Sequence, residues 1–332
     1  MSSRSALVSS ALCCLLTAPL SGQSLDYKRV MADELVRNFL LAGTLEEATG
    51  FSAGQLTTPS SLNGRETEHR FLRASYRYAF ETLDSEIGEV RPLIHANIGC
   101  SDYAENIPAP VAGWSADRDE GWTLGANIHA EVQLRPWHNT LLHARIGYGY
   151  LYSENDYTAR NPASQALGTS LDGSTRNWFS NAVTSITQFG LAQDLPLWPG
   201  AWEESPERPT LPRLRVFTRF TSASVLGFWG KTNDQQRYLT SYLWTSGARL
   251  HLPLASHDSL HFFAQPFFQV TAMHNEGHES ISSGNHFFEA GMRLGVRREA
   301  EFWRGADAIF LSGSAFWGGE TSGWQAALSF QF

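Results

Sequence analysis

Apolar and polar residues alternate without a break along residues 122–134. The apolar positions are Trp122, Leu124, Ala126, Ile128, Ala130, Val132 and Leu134, and every residue between them is polar or glycine. Because successive side chains of a strand point to opposite sides of the sheet, this period of two predicts a β-strand with one apolar and one polar face.

The same alternation recurs along most of the chain and predicts ten further strands. Six are clear, at residues 72–80, 142–152, 238–252, 260–272, 288–296 and 324–332, and four are weaker, at residues 90–100, 178–191, 213–224 and 307–317. Several of these runs extend over 11 to 15 residues. Strands of soluble proteins cluster near five or six residues, whereas a tilted membrane strand needs about 9–11.

The predicted connections alternate between short and long. Short ones lie at residues 81–88, 135–140 and 253–258, and long ones lie at residues 101–120, 153–177 and 273–285. Residues 194–212, with five prolines, break the rule because they are long on the short side. Short turns on one side, long loops on the other and an even number of strands are typical of outer-membrane barrels. A twelfth strand is therefore expected within residues 49–59.

Composition narrows the fold class. The 42% of hydrophobic and 17% of charged residues are typical of a folded chain. A mean hydropathy of −0.26, with no apolar run of about 18 residues beyond the first two dozen positions, excludes a polytopic helical membrane protein. The net charge of −8, without a basic cluster, argues against nucleic acid as a partner.

The first 22 residues have the three parts of a secretory signal peptide. Arg4 supplies the positive region, residues 6–16 form a short apolar core, and Leu20-Ser21-Gly22 offers small residues before Gln23. The mature chain is therefore expected to begin near Gln23, and its one cysteine, Cys100, cannot form an internal disulfide.

A secreted β-sandwich is the alternative to a membrane barrel, because it shows the same alternation. Strand length favours the barrel, and so do the aromatic residues near the ends of apolar faces, such as Tyr148, Tyr150 and Tyr152. The sequence thus predicts an all-β fold: a transmembrane antiparallel β-barrel of about twelve strands with a short N-terminal helix.

The last predicted strand carries a resemblance to a known class. Its apolar face consists of Trp324, Ala326, Leu328, Phe330 and terminal Phe332, and it resembles the C-terminal signal by which the barrel-assembly machinery recognises bacterial outer-membrane proteins. The layout resembles the translocator domain of autotransporters, and more closely the solitary autotransporter-like barrels that lack a passenger. The resemblance implies an outer-membrane location. It also implies periplasmic chaperones, the assembly machinery and outer-membrane lipid with lipopolysaccharide as partners.

Residues 26–47 have helical rather than strand spacing, so we divide the chain into a signal peptide (1–22), a helical segment (23–48) and a barrel (49–332). The resemblance implies that the helix plugs the lumen, where Asp33, Glu34 and Glu46 could meet arginines of the barrel. The alternative is a periplasmic helix or a flexible lead.

If the apolar faces meet lipid, the alternate polar residues must line the lumen, because a charge at the lipid midplane costs about 2–4 kcal/mol. The residues predicted to line it are His129, Glu131, His143, Arg145, Arg249, His251, His261, Glu289, Arg293 and Arg297. Same-face pairing should bring Glu131 opposite His143 or Arg145, and Arg249 and His251 near His261. These charges are interpreted either as a network that keeps a narrow barrel rigid or as a lining selective for a small polar solute.

Signals for catalysis and metal binding are weaker. His274 and His278 lie in a glycine-containing loop, where their spacing fixes no common face. Asp117, Asp119 and Glu120 form an acidic group that could hold a cation, although a solvated loop explains them better. We therefore expect no metal, no cofactor and no enzymatic activity.

The sequence leaves three functions open. The first is a narrow or plugged pore or a structural surface protein. The second is a lipid-face hydrolase using His286 with Ser282 or Ser283, and the third is an adhesin that displays residues 153–177.

Overall fold

The computed structural model describes residues 49–59, 66–107, 109, 111–168, 172, 177–198, 209–230, 238–275, 286–298, 306–318 and 321–331. Its elements within these ranges are β1 (Thr49–Pro59), β2 (Glu66–Ala79), β3 (Leu83–Ser85), β4 (Gly88–Ile107), β5 (Asp117–Trp137), β6 (Thr140–Thr158), α1 (Pro162–Ala166), β7 (Phe179–Pro196), β8 (Arg213–Gly230), β9 (Tyr238–His257), β10 (Leu260–Asn275), β11 (His286–Arg298), β12 (Ala308–Gly318) and β13 (Thr321–Gln331). Among the described residues, no helix has the length and apolar character needed to cross a membrane.

Twelve of the strands in the described ranges close into an antiparallel barrel, in which each pairs with its neighbours in sequence. β13 returns to β1, with Thr49 opposite Phe330, and β2 pairs directly with β4, while β3 adds only a three-residue hairpin to β4. The eleven strands predicted from alternation are present, and so is the twelfth, which was expected within residues 49–59 because an even number of strands was required. The predicted all-β barrel is therefore confirmed.

The two faces of each strand lie in different environments. On β5, Ile128 is 59% exposed and the next residue, His129, is 1% exposed, and the same alternation extends along the strand. A closed sheet can bury only the face that points inward, so the apolar set forms the outer surface and the polar set points into the lumen.

The two ends of the barrel differ. Tight turns at residues 86–87, 138–139 and 258–259 lie at one end, which we name the turn end. Asp258 in the last of these turns has a φ of 52°, a left-handed conformation that aspartate tolerates in two-residue hairpins. Helix α1 lies at the opposite end, the loop end. β1 begins at the turn end, so the segment before Thr49 joins the barrel there.

The strands at the loop end are longer than the alternation predicted. The connection expected at residues 101–120 is mostly ladder, because β4 and β5 pair as far as Ile107 opposite Asp117, and β6 likewise continues to Thr158. The outward side chains there, such as Arg118 and Glu120, are polar like the inward ones. There the sequence no longer alternates between apolar and polar residues, although successive side chains still point to opposite sides of the sheet.

Candidate functional site in the barrel lumen

The ten residues predicted to line the lumen lie on the inward side of their strands. Six are buried, namely His129, Glu131, Arg145, His251, Glu289 and Arg297. The other four, His143, Arg249, His261 and Arg293, are half-buried. The structure therefore places them on one surface, while the part that each plays in transport stays a prediction.

The first group on this surface is the carboxylate-paired cluster of Glu131, Arg145, His95 and His129. Glu131 lies opposite Arg145 on the neighbouring strand, and the guanidinium donates to Glu131 Oε2 from Nε at 3.0 Å and from Nη2 at 2.6 Å. His95 Nε2 lies 2.8 Å from the same oxygen. Gln133 Nε2 donates to Oε1 at 2.7 Å. The charge of Arg145 is thus compensated at short range.

Sequence reasoning missed two members of this neighbourhood, His95 and Asn97. His95 lies opposite His129 in the ladder of β4 and β5. Asn97 donates from Nδ2 to Asn127 Oδ1 at 2.8 Å, and His129 Nε2 contacts that same oxygen. Both missed residues occupy polar positions of the strand predicted at residues 90–100. Their place on the polar face of that strand could have identified them as lumen residues.

A cavity of about 380 Å³ occupies the lumen at the turn end. The described residues that line it include three carboxylates, Glu131, Asp194 and Asp307, and two histidines, His143 and His251. They also include ten arginines, namely Arg77, Arg91, Arg135, Arg145, Arg213, Arg215, Arg219, Arg249, Arg293 and Arg297. The described lining is therefore strongly basic, although the whole chain is acidic at −8.

Four inward arginines rest on phenylalanine rings, and we name them the ring-supported arginines. The distance from Cζ to the ring centroid is 4.7 Å for Arg73 on Phe71, 5.8 Å for Arg219 on Phe217, 5.7 Å for Arg293 on Phe267 and 5.4 Å for Arg297 on Phe263. Each lies within the range of about 6 Å at which the ring quadrupole attracts a cation.

Each supporting ring in turn covers a glycine of a neighbouring strand. A Cβ added to Gly54, Gly247, Gly291 or Gly295 would lie 2.3–2.8 Å from the Cζ atom of Phe71, Phe217, Phe267 or Phe263, respectively. No side chain larger than hydrogen fits under a ring at that distance. The glycines therefore let the rings lie against the barrel wall and leave space above them for the guanidinium groups.

Arg73 shows how a ring-supported arginine is held. Besides the ring of Phe71, it donates from Nε to Ser52 Oγ at 3.1 Å and from Nη2 to Gln325 Oε1 at 2.9 Å. All three of these partners are electrically neutral. These three contacts fix the orientation of the guanidinium.

Arg215 is paired differently from its neighbour Arg249. It donates to Asp194 from Nε and Nη2, both at 2.8 Å, in a two-pronged ion pair. Yet Arg215 lies directly opposite Arg249 in the ladder of β8 and β9. Like charges in opposed positions destabilise a sheet, and the Asp194 carboxylate offsets the charge of Arg215.

The expected approach of Arg249 and His251 to His261 is not found. Arg249 lies opposite Phe267, and Gln265 lies 3.1 Å from His251. His261 instead lies opposite Ser256 and shares a hydrogen bond of 3.0 Å with its hydroxyl. The cause is the register of the hairpin, because Leu260 pairs with His257 and Arg249 and His251 therefore lie several residues farther along the ladder than His261.

Glu289 lies on the same face as Arg293 and Arg297, as predicted, but neutral groups hold its carboxylate. Ser314 Oγ donates to Oε1 at 2.6 Å and Gln325 Nε2 donates to the same atom at 3.2 Å, while Gln269 Nε2 donates to Oε2. The row predicted along β11 is therefore a row of one acid and two ring-supported arginines.

At the loop end, the described residues that donate hydrogen bonds to Asp117 are all neutral. Its carboxylate receives Tyr157 Oη at 2.5 Å, the backbone nitrogens of Arg160 and Asn161 at 2.6 and 3.0 Å, Asn161 Nδ2 at 2.7 Å and Ser164 Oγ at 2.9 Å. Burial alone would raise the pKa of Asp117, but these hydrogen bonds outweigh it and hold the pKa below its ordinary value of 3.8. The carboxylate ties the segment around α1 to β5.

The acidic side chains at residues 117–120 do not converge on one point. Asp119 points inward and accepts from Asn155 Nδ2 at 2.5 Å. Glu120 points outward and pairs with Arg118. Neighbouring strand residues face opposite sides, and within the described residues no group of three or more His, Cys, Asp or Glu side chains is arranged to hold a metal.

Two histidines considered for other chemistry lie among aromatic rings. His286 is exposed, with its ring edge-on to Phe288 at a centroid distance of 5.7 Å. His274 stacks on Tyr242 at 6.4 Å. Ser282, Ser283 and His278 lie outside the described residues.

Trp324, Ala326, Leu328 and Phe330 share the outward face of β13, with Trp324 50% and Leu328 42% exposed. Phe332 lies outside the described residues. So do the signal peptide, the predicted helix and its acidic residues Asp33, Glu34 and Glu46.

Comparisons with known proteins agree with this architecture. No protein-family model matches the chain, and no curated protein matches its sequence. Among solved structures, the transport unit of the autotransporter AIDA-I from Escherichia coli is 11% identical, with a TM-score of 0.56 over 93% of this chain and 100% of that chain.

Two further structures are similar. The translocator domain of the autotransporter NalP from Neisseria meningitidis is 12% identical, with a TM-score of 0.51 over 92% of this chain and 98% of that one. The β domain of the Bordetella autotransporter BrkA is 11% identical, with a TM-score of 0.50 over 86% and 100%. Sequence identities this low support a shared fold but do not indicate a shared activity. The chain therefore shares the β-barrel fold of autotransporter translocator domains.

Proposed function

We propose that the chain is an outer-membrane β-barrel that forms a narrow, anion-preferring pore. The observation that carries the proposal is the cavity at the turn end, where ten arginines and three carboxylates line one small space. Arginine side chains arranged around a narrow channel lower the free energy of an entering anion and raise that of a cation.

The outer surface supports the membrane location. Ile128, Ile146 and Leu311 are 59, 54 and 62% exposed on the outside of the barrel, where lipid would solvate them. The substitution Ile128→Lys should cost about 2–4 kcal/mol and reduce recovery of the folded form in lipid vesicles. Glu120→Lys, also on the outward face but beyond the apolar band, is the matched control. Equal folding of both variants, in water without detergent, would contradict the membrane location.

The export route and the division of the chain remain part of the proposal. Residues 1–22 would be removed as a signal peptide, residues 23–48 would form the lumen segment and residues 49–332 the barrel. Mass spectrometry of protein from outer-membrane fractions should find an N-terminus at Gln23. A mass that includes Met1 would contradict cleavage.

Assembly would use periplasmic chaperones and the barrel-assembly machinery, because β13 exposes an apolar outward face. Deletion of Phe332 should lower insertion in cells and leave folding into pure lipid vesicles nearly unchanged. An equal loss in both settings would contradict recognition by the machinery.

We further propose that residues 23–48 occupy the lumen and narrow it. Thr49 and Arg77 both line the basic cavity, and Arg77 N donates to Thr49 Oγ1 at 2.8 Å, so the chain enters the barrel beside the arginines. Asp33, Glu34 and Glu46 have the charge that complements this lining.

The test is a planar-bilayer recording of the purified protein under a KCl gradient. We expect a small current whose reversal potential lies toward that of chloride, and a larger current from the variant D33N/E34Q/E46Q, in which the plugging carboxylates are neutral. The variant R249Q/R293Q/R297Q should lose the chloride preference. R70Q/R118Q/R298Q is the control, because it removes the same charge from exposed outward positions.

Two results would overturn the pore. One is the absence of current from both the wild type and D33N/E34Q/E46Q. The other is a cation preference that R249Q/R293Q/R297Q leaves unchanged. Heat-modifiable gel migration of every variant verifies that a missing current does not come from a missing barrel.

A further inference from the structure

The segment that follows β6 lies on the inner side of the barrel wall at the loop end. Asp117, the first residue of β5, points inward and is 2% exposed. Its carboxylate accepts hydrogen bonds from the backbone nitrogens of Arg160 and Asn161 and from the hydroxyl of Ser164. A short inward side chain reaches these atoms because residues 160–164 lie inside the rim of the barrel.

The burial of helix α1 agrees with this position. Asn161 and Ser164 are 3 and 5% exposed, whereas Leu167 is 47% exposed. Asn161 caps the helix by accepting from Ser164 N at 2.9 Å, and its own Nδ2 donates to Asp117 at 2.7 Å. The residue that shapes the helix therefore also holds it against β5.

Inward side chains close to this rim are shielded from solvent. Thr123 on β5 and Ser153 on β6 lie opposite one another near the loop end, share a hydrogen bond of 2.7 Å and are 0 and 1% exposed. Water would reach polar side chains at an open mouth. Their burial indicates that the mouth is covered on this side, and residues 159–166 are a described segment that lies there.

The segment can move without unpairing the strands beside it. Beyond α1, Tyr157 N donates to Asn177 Oδ1 at 2.9 Å, and Asn177 N donates to Asn155 Oδ1 at 3.1 Å. These bonds fix the returning chain to β6 independently of Asp117. Gly168, which follows the helix, has a φ of 54°, a left-handed conformation that glycine adopts without strain.

The contact with β5 has the chemistry of a reversible latch. The hydrogen bonds converge on one carboxylate, and the described donors are neutral groups. At the rim, water can replace neutral donors when the segment moves away, whereas opening a buried ion pair would leave a charge without its partner. The attachment is therefore specific but not locked.

We infer that residues 159–166 form a lid across the loop-end mouth of the lumen, latched to β5 by Asp117, which opens to admit solute from that side. The inference rests on the proposed pore for what passes the lid. The lid itself can be tested without any current.

The experiment measures how fast a maleimide carried on a polymer, too large to traverse the barrel, modifies a cysteine placed behind the lid. The detergent-solubilised full chain carries C100S/S153C, since native Cys100 is exposed. C100S/T123C is the second position, in case S153C does not fold. C100S/S115C, in the exposed neighbouring loop, gives the rate for an uncovered thiol.

We expect slow modification at positions 153 and 123. Addition of D117N should accelerate it about tenfold, because the rate follows the opening equilibrium of the segment. Deletion of Pro162–Ala166 should accelerate it at least as much. Deletion of residues 111–115, five exposed residues of the loop between β4 and β5, is the matched control and should change the rate less than twofold.

Two results would overturn the lid. One is modification at positions 153 and 123 as fast as at position 115 while the lid is intact. The other is a slow rate that D117N and the deletion of Pro162–Ala166 both leave unchanged in proteins with the heat-modifiable migration of a folded barrel. Lid-dependent modification without any bilayer current would leave the lid standing and remove the pore. A chloride-selective current with lid-independent modification would do the reverse.

Discussion

Two walls of the same lumen bury arginine in opposite ways. On β5 and β6, Arg145 meets Glu131 in a two-pronged ion pair with His95 beside it. On β10 and β11, Arg293 and Arg297 rest on phenylalanine rings that themselves cover glycines. Both arrangements fix a guanidinium in a confined space.

The two arrangements differ in whether the arginine's partner neutralises its positive charge. An ion pair cancels the field of the cation, and its two partners become dependent on each other, since removing one leaves the other uncompensated. A ring contributes about 0.5–2 kcal/mol and does not itself neutralise the cation. The first wall therefore holds the barrel together, and the second provides the electrostatic surface from which we propose function.

The largest predicted effect comes from breaking the ion pair. Glu131→Gln leaves Arg145 and His95 without their carboxylate, and it should lower the free energy of unfolding by about 3–5 kcal/mol. The measurement is a denaturant titration in detergent micelles, followed by tryptophan fluorescence.

The double variant E131Q/R145M controls for this result. If the cost is an uncompensated charge, removing both partners should restore most of the lost stability. A double variant as unstable as E131Q would mean that Glu131 acts through packing or through Gln133.

The next effect tests the glycine beneath a ring. In Gly295→Ala, the new Cβ would lie 2.3 Å from Phe263 Cζ, so the ring and Arg297 above it must move. Overpacking of this kind should cost about 1–3 kcal/mol of unfolding free energy. Gly313→Ala is the matched strand control, because its new Cβ would have its nearest neighbour at 3.9 Å.

A double-mutant cycle isolates the ring in that effect. In a Phe263→Leu background, the cost of Gly295→Ala should fall by at least half, since the atom that clashes is gone. An unchanged cost would place the strain in the backbone of β11 instead.

How far the sequence predicts this molecule differs between fold and site. Alternation predicted eleven of the twelve barrel strands, because the two sides of the sheet lie in two different environments, and the even number typical of such barrels predicted the twelfth. It also predicted that Glu131 lies opposite His143 or Arg145, since a short turn limits the register of the hairpin, and the structure selects Arg145. Alternation did not predict the strand ends nearest the loop end of the barrel. At Arg118 and Glu120, for example, the side chains on both faces of the strand are polar.

The ring-supported arginines depend on information that a single strand does not carry. Phe263 and Gly295 are far apart in sequence, and their contact requires the register of β10 on β11. A partial signal existed nonetheless. Phe217, Phe263 and Phe267 occupy the otherwise polar phase of their strands, where an aromatic residue needs an explanation.

A carboxylate held by neutral donors gives the acidic counterpart of the ring-supported arginines. In Asp117→Asn, an amide group replaces one accepting oxygen and faces the donors Tyr157 and Asn161. Local opening of residues 159–166 should increase about tenfold, or about 1.4 kcal/mol. Hydrogen exchange at the amides of Arg160 and Asn161 measures it, with Asp156→Asn, exposed on the neighbouring strand β6, as control.

The pH dependence of this segment has a definite sign. Because folding lowers the pKa of Asp117 below 3.8, its ionised form stabilises the segment at all pH values above that number. The stabilisation is lost as the pH falls through the lower value of the folded state. Amide protection at residues 160 and 161 should therefore fall below pH 4 in the wild type and stay flat in D117N. Parallel decreases in both proteins would assign the pH response to other groups.

The smallest predicted effect is the most direct test of the comparison between the two walls. Arg293→Gln removes a ring-supported cation, so it loses the attraction to Phe267 but also relieves repulsion from the other arginines of the cavity. The two contributions oppose each other, and the free energy of unfolding should change by less than about 1 kcal/mol. Arg145→Gln, by contrast, leaves Glu131 without its arginine partner and should cost about 3 kcal/mol or more of unfolding free energy in the same titration.

Equal costs for the two arginines would mean that Arg293 is also compensated by a carboxylate, and the basic cavity would then lose its retained charge. A small cost for Arg293→Gln together with a large cost for Arg145→Gln would support one wall for stability and one for anions.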